Sequence, residues 1–419
     1  MEAAAAVRPR GHLAVPGGPR RARGRVALST AFITLLVVGT DLFVVSPLLP
    51  AIARHYRVSP GLAGVSVTAF SAAYVVGAPS LGNVADRIGR RITVVTGLAG
   101  FAVANVLTGL APWFALLLCA RVAAGLAAAA VSPALFALVG QCAPPQRRGA
   151  WMSTAVAGFL ISLTTGAPAG VGVAAALGWQ APFLGIGMLA LVLALVNWLA
   201  WRAAPAAAPH AAVAGLRPRL ISRVFAVMAT CLWGFSVYGL YTYLGTGLRA
   251  DAGFSPSLVA TALFVYGAGA VAGSLTGGRL GDRYGMARVA PVSLAVLSGF
   301  ELLVDAALRG PPAVLLVALG IFALTAYPFL PAYQSRLVAA FPRHGGSLLA
   351  WNSSAMYLGI GLSAAVGGGL LNGVGFWAIP VTGACAGIVG AIVCRRESGP
   401  HLGYLPRHSM NQPFLLYPH

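Results

Sequence analysis

Twelve long apolar runs separated by short breaks are the feature of this sequence that most restricts its fold. They fall at roughly 26–50, 61–84, 92–111, 113–141, 150–177, 181–201, 222–248, 256–280, 288–308, 312–334, 346–372 and 375–394. Each is about 20 residues or longer, the length an α-helix needs to cross the hydrocarbon core of a bilayer. Lipid offers no partner to backbone N–H and C=O groups, so only helices and closed barrels span it, and runs of this length predict helices. With 58% apolar and 9% charged residues, the chain lacks the charge to cover a water-facing surface. A soluble domain carries about 25% charged residues, and a disordered chain is far less apolar. The sequence therefore predicts an all-α, multi-pass membrane protein with twelve transmembrane helices.

All 28 basic residues are arginine, against 8 acids, which gives a formal net charge of +20. A charge of that size raises the question of nucleic acid. The positions of the arginines exclude it, because they alternate with apolar spans and form no continuous patch. When the loops are taken alternately, 23 of the 28 arginines fall in one set. Arg54, Arg57, Arg249 and Arg309 form the other set, and Arg121 alone lies within a span. The positive-inside rule makes the richer side cytoplasmic, with both termini on that side. The expected location is the cell membrane, and the lack of lysine together with abundant Ala and Gly suggests a high-GC bacterium. Residues 1–25 read as a disordered tail, with no cleavage site of a signal peptide. The five cysteines show no metal or redox spacing and read as small packing residues.

The seven histidines and eight acids form no cluster for a metal or a catalytic site, and no phosphate-cradling glycine loop is present. No catalytic residue, metal or cofactor is therefore expected, and a membrane-embedded enzyme or receptor stands as the alternative from another class.

An internal repeat gives the domain organisation. Gly82-Asn83-Val84-Ala85-Asp86-Arg87-Ile88-Gly89-Arg90-Arg91 matches the stretch from Gly278 to Arg288. The pairs Gly82/Gly278, Asp86/Asp282, Arg87/Arg283 and Gly89/Gly285 share an offset of 196, as do Arg147/Arg343 and Gly149/Gly345. This predicts two parallel six-helix halves, 26–201 and 222–394, joined by a cytoplasmic linker 202–221 and followed by a cytoplasmic tail 395–419. Parallel duplicated halves suggest a pathway between them.

The 82–91 stretch resembles the second-to-third-span loop signature of the major facilitator superfamily, G-x-L-A-D-R-x-G-R-R, with Val84 in place of the usual Leu. The resemblance covers about 26–394 and implies a secondary transporter working by alternating access. Read chemically, a tight reversal needs Gly where backbones approach or φ turns positive. The Asp can pair with Arg or sit against a helix N-terminus. The resemblance implies the latter: Asp86 latches the start of the eleventh span, beside Gly345 and Gly346, in the outward-facing state. By the repeat, Asp282 does the same beside Gly149. Gly82, Arg87, Gly89, Arg90, Arg91, Gly278, Arg283 and Gly285 complete this latch.

Interior polar residues point to the working site. Asp41, in GTDLFVVSPLLPAIA, lies near mid-membrane, where a carboxylate costs on the order of 3 kcal/mol. It reads as a proton carrier or a counter-charge, and its surroundings resemble the first-span signature of drug–proton antiporters. Its repeat-mate is Val237, so the halves differ here. Arg121 opens RVAAGLAAAA, which resembles the family's R-x-x-x-G-x-x-x-A. A buried arginine needs an anion or several carbonyls, and Asp41 is one candidate. Gly166, Pro168 and Gly170 resemble the fifth-span antiporter signature in its G-x-P-x-G form, without the adjacent Gly-Pro of the fuller pattern, and read as a hinge. Glu301, Asp305 and Arg309 share one helix face, with Asp305 and Arg309 expected as an outer ion pair and Glu301 as a second protonation candidate. Tyr74, Tyr238, Tyr266 and Tyr357 are candidates for a cavity lining.

The reading is a proton-coupled exporter of small organic compounds, driven by the proton gradient, expected to be monomeric. An importer or facilitator of a metabolite such as a sugar, nucleoside or amino acid is the alternative within the same fold.

Overall fold

The computed structural model describes residues 19–201, 220–250, 252–340 and 345–396. The tails and the 202–219 part of the linker lie outside the described residues. Among the described residues, fifteen α-helices follow one another: α1 Pro19–Tyr56, α2 Pro60–Ala63, α3 Val65–Ile88, α4 Arg90–Leu110, α5 Phe114–Cys142, α6 Arg148–Ile161, α7 Ala167–Leu177, α8 Gln180–Ala200, α9 Leu220–Ala250, α10 Pro256–Tyr284, α11 Met286–Ala307, α12 Pro312–Ala326, α13 Phe329–Ala340, α14 Gly345–Gly373 and α15 Ala378–Arg396. Three apolar runs are each divided in two, the first of them at Gly64 between α2 and α3. A π-helical segment, Ser162–Gly166, joins α6 to α7, and a break at Tyr327 and Pro328 separates α12 from α13.

Among the described residues, eleven stretches are long and apolar enough to cross a membrane. α9, with 31 residues, corresponds to the seventh of the expected twelve runs. Its Ser236, Tyr238, Tyr241, Thr242 and Tyr243 are all buried within the bundle. The lipid-facing residues lie elsewhere, with Val76, Leu177, Met188 and Leu199 each at least 70% exposed. So many exposed apolar side chains around one bundle suit a hydrocarbon surround. Cys119, Cys142 and Cys385 are exposed as well, and only Cys394 is buried, so the packing role expected of the cysteines holds for one of the five.

The duplicated signature corresponds to duplicated architecture. In the first half, α3 packs on α5 and α4 on α8; in the second, α10 packs on α12 and α11 on α15. Gly89 and Gly285 adopt nearly the same left-handed conformation, φ 97° and φ 87°, at equivalent loops. Ser59 and Ser255 cap equivalent helices, accepting from the N–H of Leu62 and Leu258, with Pro60 and Pro256 each at the first helical position. A serine cap followed by proline satisfies one free N–H and removes another. That Ser-Pro-x-Leu pair is a further trace of the repeat, offset by 196 in the sequence.

The halves meet along α1 with α9, α3 with α14, and α10 with α7 and the π segment. α2 also packs on α14. By contrast, α5 and α13 share no packed interface among the described residues.

Candidate functional site

Asp41 lies about 24 Å along α1 from Arg25 and about 20 Å from Arg54, at 1.5 Å per residue. Arg121, on α5, donates through Nη1 to Asp41 Oδ1 at 2.7 Å. Both are buried, with side chains 0% and 1% exposed. The structure thus brings together Asp41 and Arg121, two of the interior charges that the sequence singled out. The Arg121 guanidinium also lies over the Phe70 ring, 4.7 Å from its centre, and 5.9 Å from that of Phe183. Gly125, one turn on from Arg121, allows this approach: a Cβ there would lie 2.2 Å from the Phe70 carbonyl oxygen. One oxygen of the carboxylate, Oδ2, and the Arg121 Nε have no hydrogen-bond partner. The site therefore keeps an open acceptor and an open donor side by side with the ion pair.

An aromatic layer joins the halves next to this pair. Tyr74 of α3 stacks on Tyr357 of α14, with centroids 3.6 Å apart, and Phe43 of α1 stacks on Tyr238 of α9 at 5.9 Å. Tyr357 is within electrostatic reach of Asp41. Tyr266 lies deeper in the second half, among Tyr241, Phe322 and Tyr327. All four expected tyrosines are buried, three of them at the boundary between halves. Beyond this layer, toward the 56–60 end, contacts continue. Ser46 donates to the carbonyls of Tyr241 and Thr242, and Tyr241 donates to the Phe43 carbonyl at 3.2 Å. Asn372 donates to Ser59 at 2.9 Å, and Thr68 to the Gly361 carbonyl at 3.2 Å. The bundle is closed at this end, the one that the arginine distribution predicts to be the outer end. Ser46, Phe43 and Phe70 carry no sequence signal of their own, since a lone Ser or Phe within an apolar run is unremarkable.

A model of the Major Facilitator Superfamily matches residues 31–248 and again 245–416. The chain belongs to the major facilitator superfamily. An MFS-type transporter of Bacillus subtilis, YceJ, is 32% identical over 344 residues, covering 80% of this chain and 87% of its own. A chloramphenicol resistance protein of Streptomyces lividans is 28% identical over 262 residues, covering 60% and 65%. Among solved structures, a bacterial homologue of the human lysosomal transporter Spinster, inward-facing and occupied, superposes with a TM-score of 0.74 at 16% identity over 91% of this chain and 97% of that one. A D-xylose–proton symporter gives 0.73 at 15% identity over 91% and 98%. These two share the fold.

This member of the superfamily has its signature loops partly in view. The side chain of Asp86 and residues 341–344 lie outside the described residues, and with them the geometry of the first latch. Gly89 and Gly285 are required by their positive φ, whereas a Cβ on Gly82 or Gly278 would meet nothing within 4 Å. Asp282 is exposed and has no hydrogen bond or ion pair among the described residues. Arg91 donates to the Trp198 carbonyl and lies over the Trp198 ring at 3.8 Å, tying the loop to α8. Arg283 lies 5.4 Å from the Tyr284 ring, and Arg87 is exposed.

At the expected hinge, the π segment ends at Gly166, and Pro168 follows within the first turn of α7. A proline there cannot donate to the preceding turn, and a π turn is one way to absorb the mismatch. Gly166 and Gly170 let α7 approach α1: a Cβ would lie 2.0 Å from Thr40 Oγ1 and 2.1 Å from Val44 Cγ2. From the other half, Gly267 of α10 presses on the Thr164 backbone, where a Cβ would come within 2.5 Å.

Glu301 is fully buried in the second half, accepting from Ser236 Oγ at 2.7 Å through Oε2, with Oε1 unpartnered. It is remote from the Asp41–Arg121 pair in partners and packs against Gly383 of α15, where a Cβ would lie 2.0 Å from Oε1. The ion pair expected between Asp305 and Arg309 does not form. α11 ends at Ala307, and the turn at Leu308 and Arg309 breaks the i, i+4 register that would have aligned them. Among the described residues, no three His, Cys, Asp or Glu side chains group as a metal site.

Proposed function

We propose that this transporter is a proton-coupled exporter of small organic compounds in the bacterial cell membrane, with twelve spans, cytoplasmic termini and α9 as the seventh span. The observation that carries this reading is the buried Asp41–Arg121 pair with its open carboxylate oxygen, set beside the aromatic boundary between the halves. The relation to a chloramphenicol resistance protein supports export, and the bacterial origin of the relatives supports the membrane assigned.

In this reading Asp41 takes the proton. Protonation cancels its charge, weakens the hold on Arg121 and frees the guanidinium. Occupation of the open oxygen by a substrate group competes with that proton. Each state of Asp41 then favours a different arrangement of the halves, and the inward proton gradient drives export. Phe70 and Phe183 hold the arginine in place while its ion pair is broken, as cation–π contacts do in dry surroundings. Tyr74, Tyr238 and Tyr357 offer hydroxyls and ring faces to an amphipathic organic molecule.

Proton-driven uptake into inverted vesicles tests the assignment, with chloramphenicol as the first probe. Wild-type vesicles should accumulate it when acidified inside, and collapse of the gradient should abolish accumulation. Asp41→Asn should remove the gradient dependence in vesicles matched for their content of the protein. Gradient-driven accumulation by Asp41→Asn equal to wild type would overturn the coupling role.

A further inference from the structure

Three of the four arginines on the sparse side of the membrane converge on one cleft. Arg54 and Arg57 stand at the end of α1 in the first half, and Arg249 stands at the end of α9 in the second. With Thr246, Pro50 and Pro60 they line a cleft of about 490 Å³ at the closed outer end. That volume falls in the range of small-molecule sites, roughly 300–1,000 Å³. None of the three guanidinium groups makes a hydrogen bond or ion pair among the described residues. Asp251, which follows Arg249 closely in sequence, lies outside the described residues. The floor adds a second observation: Thr246 is 6% exposed, and its Oγ1 has no hydrogen-bond partner.

The backbone at Arg57 adds a third. Its φ is 55°, the left-handed region. Arg57 N–H bonds to the Arg54 carbonyl at 3.4 Å and Val58 N–H to the Ala53 carbonyl at 3.0 Å. This is the paired-bond C-cap in which glycine is the usual residue. Arginine occupies a position where the backbone alone favours glycine, and its side chain lines the cleft.

Closing the outer end brings cations of both halves around one cleft, where like charges repel. Opening that end separates them. An anion in the cleft would hold the closed state and have no equivalent site in the open one, so it would shift the balance by its differential affinity. Guanidinium groups suit oxyanions, which they grip by paired hydrogen bonds. The geometry points to an oxyanion-binding site at the outer mouth, formed by Arg54, Arg57, Arg249 and Thr246, that clamps the two halves shut. The ligand chemistry is a phosphate- or carboxylate-type group, free in solution or carried on a lipid headgroup.

The test uses the full chain in nanodiscs, with spin labels at Trp113→Cys and Trp377→Cys in a background without other cysteines. These positions lie on exposed turns at the outer end, one in each half. In phosphatidylcholine discs, inorganic phosphate replaces chloride at constant ionic strength. In a second arm, phosphatidylglycerol replaces phosphatidylcholine with chloride alone. At ten times the half-saturating concentration, the ratio of short to long distances should rise about tenfold. A rise in the phosphate arm identifies a free oxyanion, and a rise in the phosphatidylglycerol arm alone identifies a headgroup. Either rise should vanish in an Arg57→Gly/Arg249→Gln variant. Glycine suits the left-handed cap, so this variant should fold, and its melting curve checks that it does. No rise in either arm, or an equal rise in the variant, would overturn the site.

Discussion

Tyr74 and Tyr357 lie face to face across the boundary between the two halves, their rings tilted by 19° and their centroids 3.6 Å apart. The stack is buried, and each ring belongs to a different half, so it couples the halves directly. Aromatic pairs contribute about 0.5–1.5 kcal/mol beyond the area they bury. A double-mutant cycle of Tyr74→Ala and Tyr357→Ala, read by thermal unfolding in detergent, should show a coupling energy of about 1 kcal/mol. Strict additivity would mean that the stack adds nothing beyond burial.

The Asp41–Arg121 pair makes a prediction about stability that is independent of transport. Removing one partner of a buried ion pair strands the other charge and costs about 3–5 kcal/mol, whereas replacing both by apolar groups is often neutral. Arg121→Met should therefore lower the melting temperature markedly. The double variant Asp41→Leu/Arg121→Met should recover most of the loss while transporting nothing. If the double variant melts lower than the single one, the pair is held by more than charge compensation.

Much of this was legible in the sequence, for reasons that differ by residue. Spans show in the apolar runs because lipid selects apolar surface. Asp41 and Arg121 show because a charge in such a run is costly, and the structure places them in contact. The repeat shows at Gly89 and Gly285 because both need positive φ. Other features were hidden. The π segment before Gly166 inserts into a helix without altering its composition. The Asp305–Arg309 pair looked sound on a helical wheel, but the helix stops at Ala307. The partners across the boundary, such as Ser46 with the Tyr241 carbonyl, depend on how the halves dock, which no local pattern records.

The loop glycines should separate by conformation. Gly89 has φ 97°, which a side chain adopts only with strain, whereas a Cβ on Gly82 would meet no atom within 4 Å. A left-handed conformation costs a non-glycine residue roughly 1–2 kcal/mol. Gly89→Ala should lower stability by about that amount and Gly82→Ala should leave it unchanged, both measured by thermal unfolding. If Gly82→Ala also slows transport without lowering the melting temperature, Gly82 is needed in the other conformation of the cycle.

The closed outer end makes the last prediction. α2 and α14 meet there through glycine: a Cβ on Gly61 would lie 2.2 Å from the Gly368 carbonyl oxygen, and one on Gly368 would lie 2.5 Å from that of Gly61. Both obstacles are backbone atoms, which cannot swing aside as a side chain would. A methyl group at either position must push the two elements apart, and these elements belong to different halves. Gly61→Ala and Gly368→Ala should therefore destabilise the outer-closed arrangement and enrich the outer-open one. Thiol labelling of Thr246→Cys reads this, because Thr246 is 6% exposed in the closed arrangement and parting of the halves should uncover it. Its labelling should speed up in both glycine variants. Gly369→Ala is the control, since a Cβ there meets nothing within 4 Å, and its labelling rate should match that of the parent. Equal rates in all three would show that the Gly61–Gly368 contact does not set the outer closure.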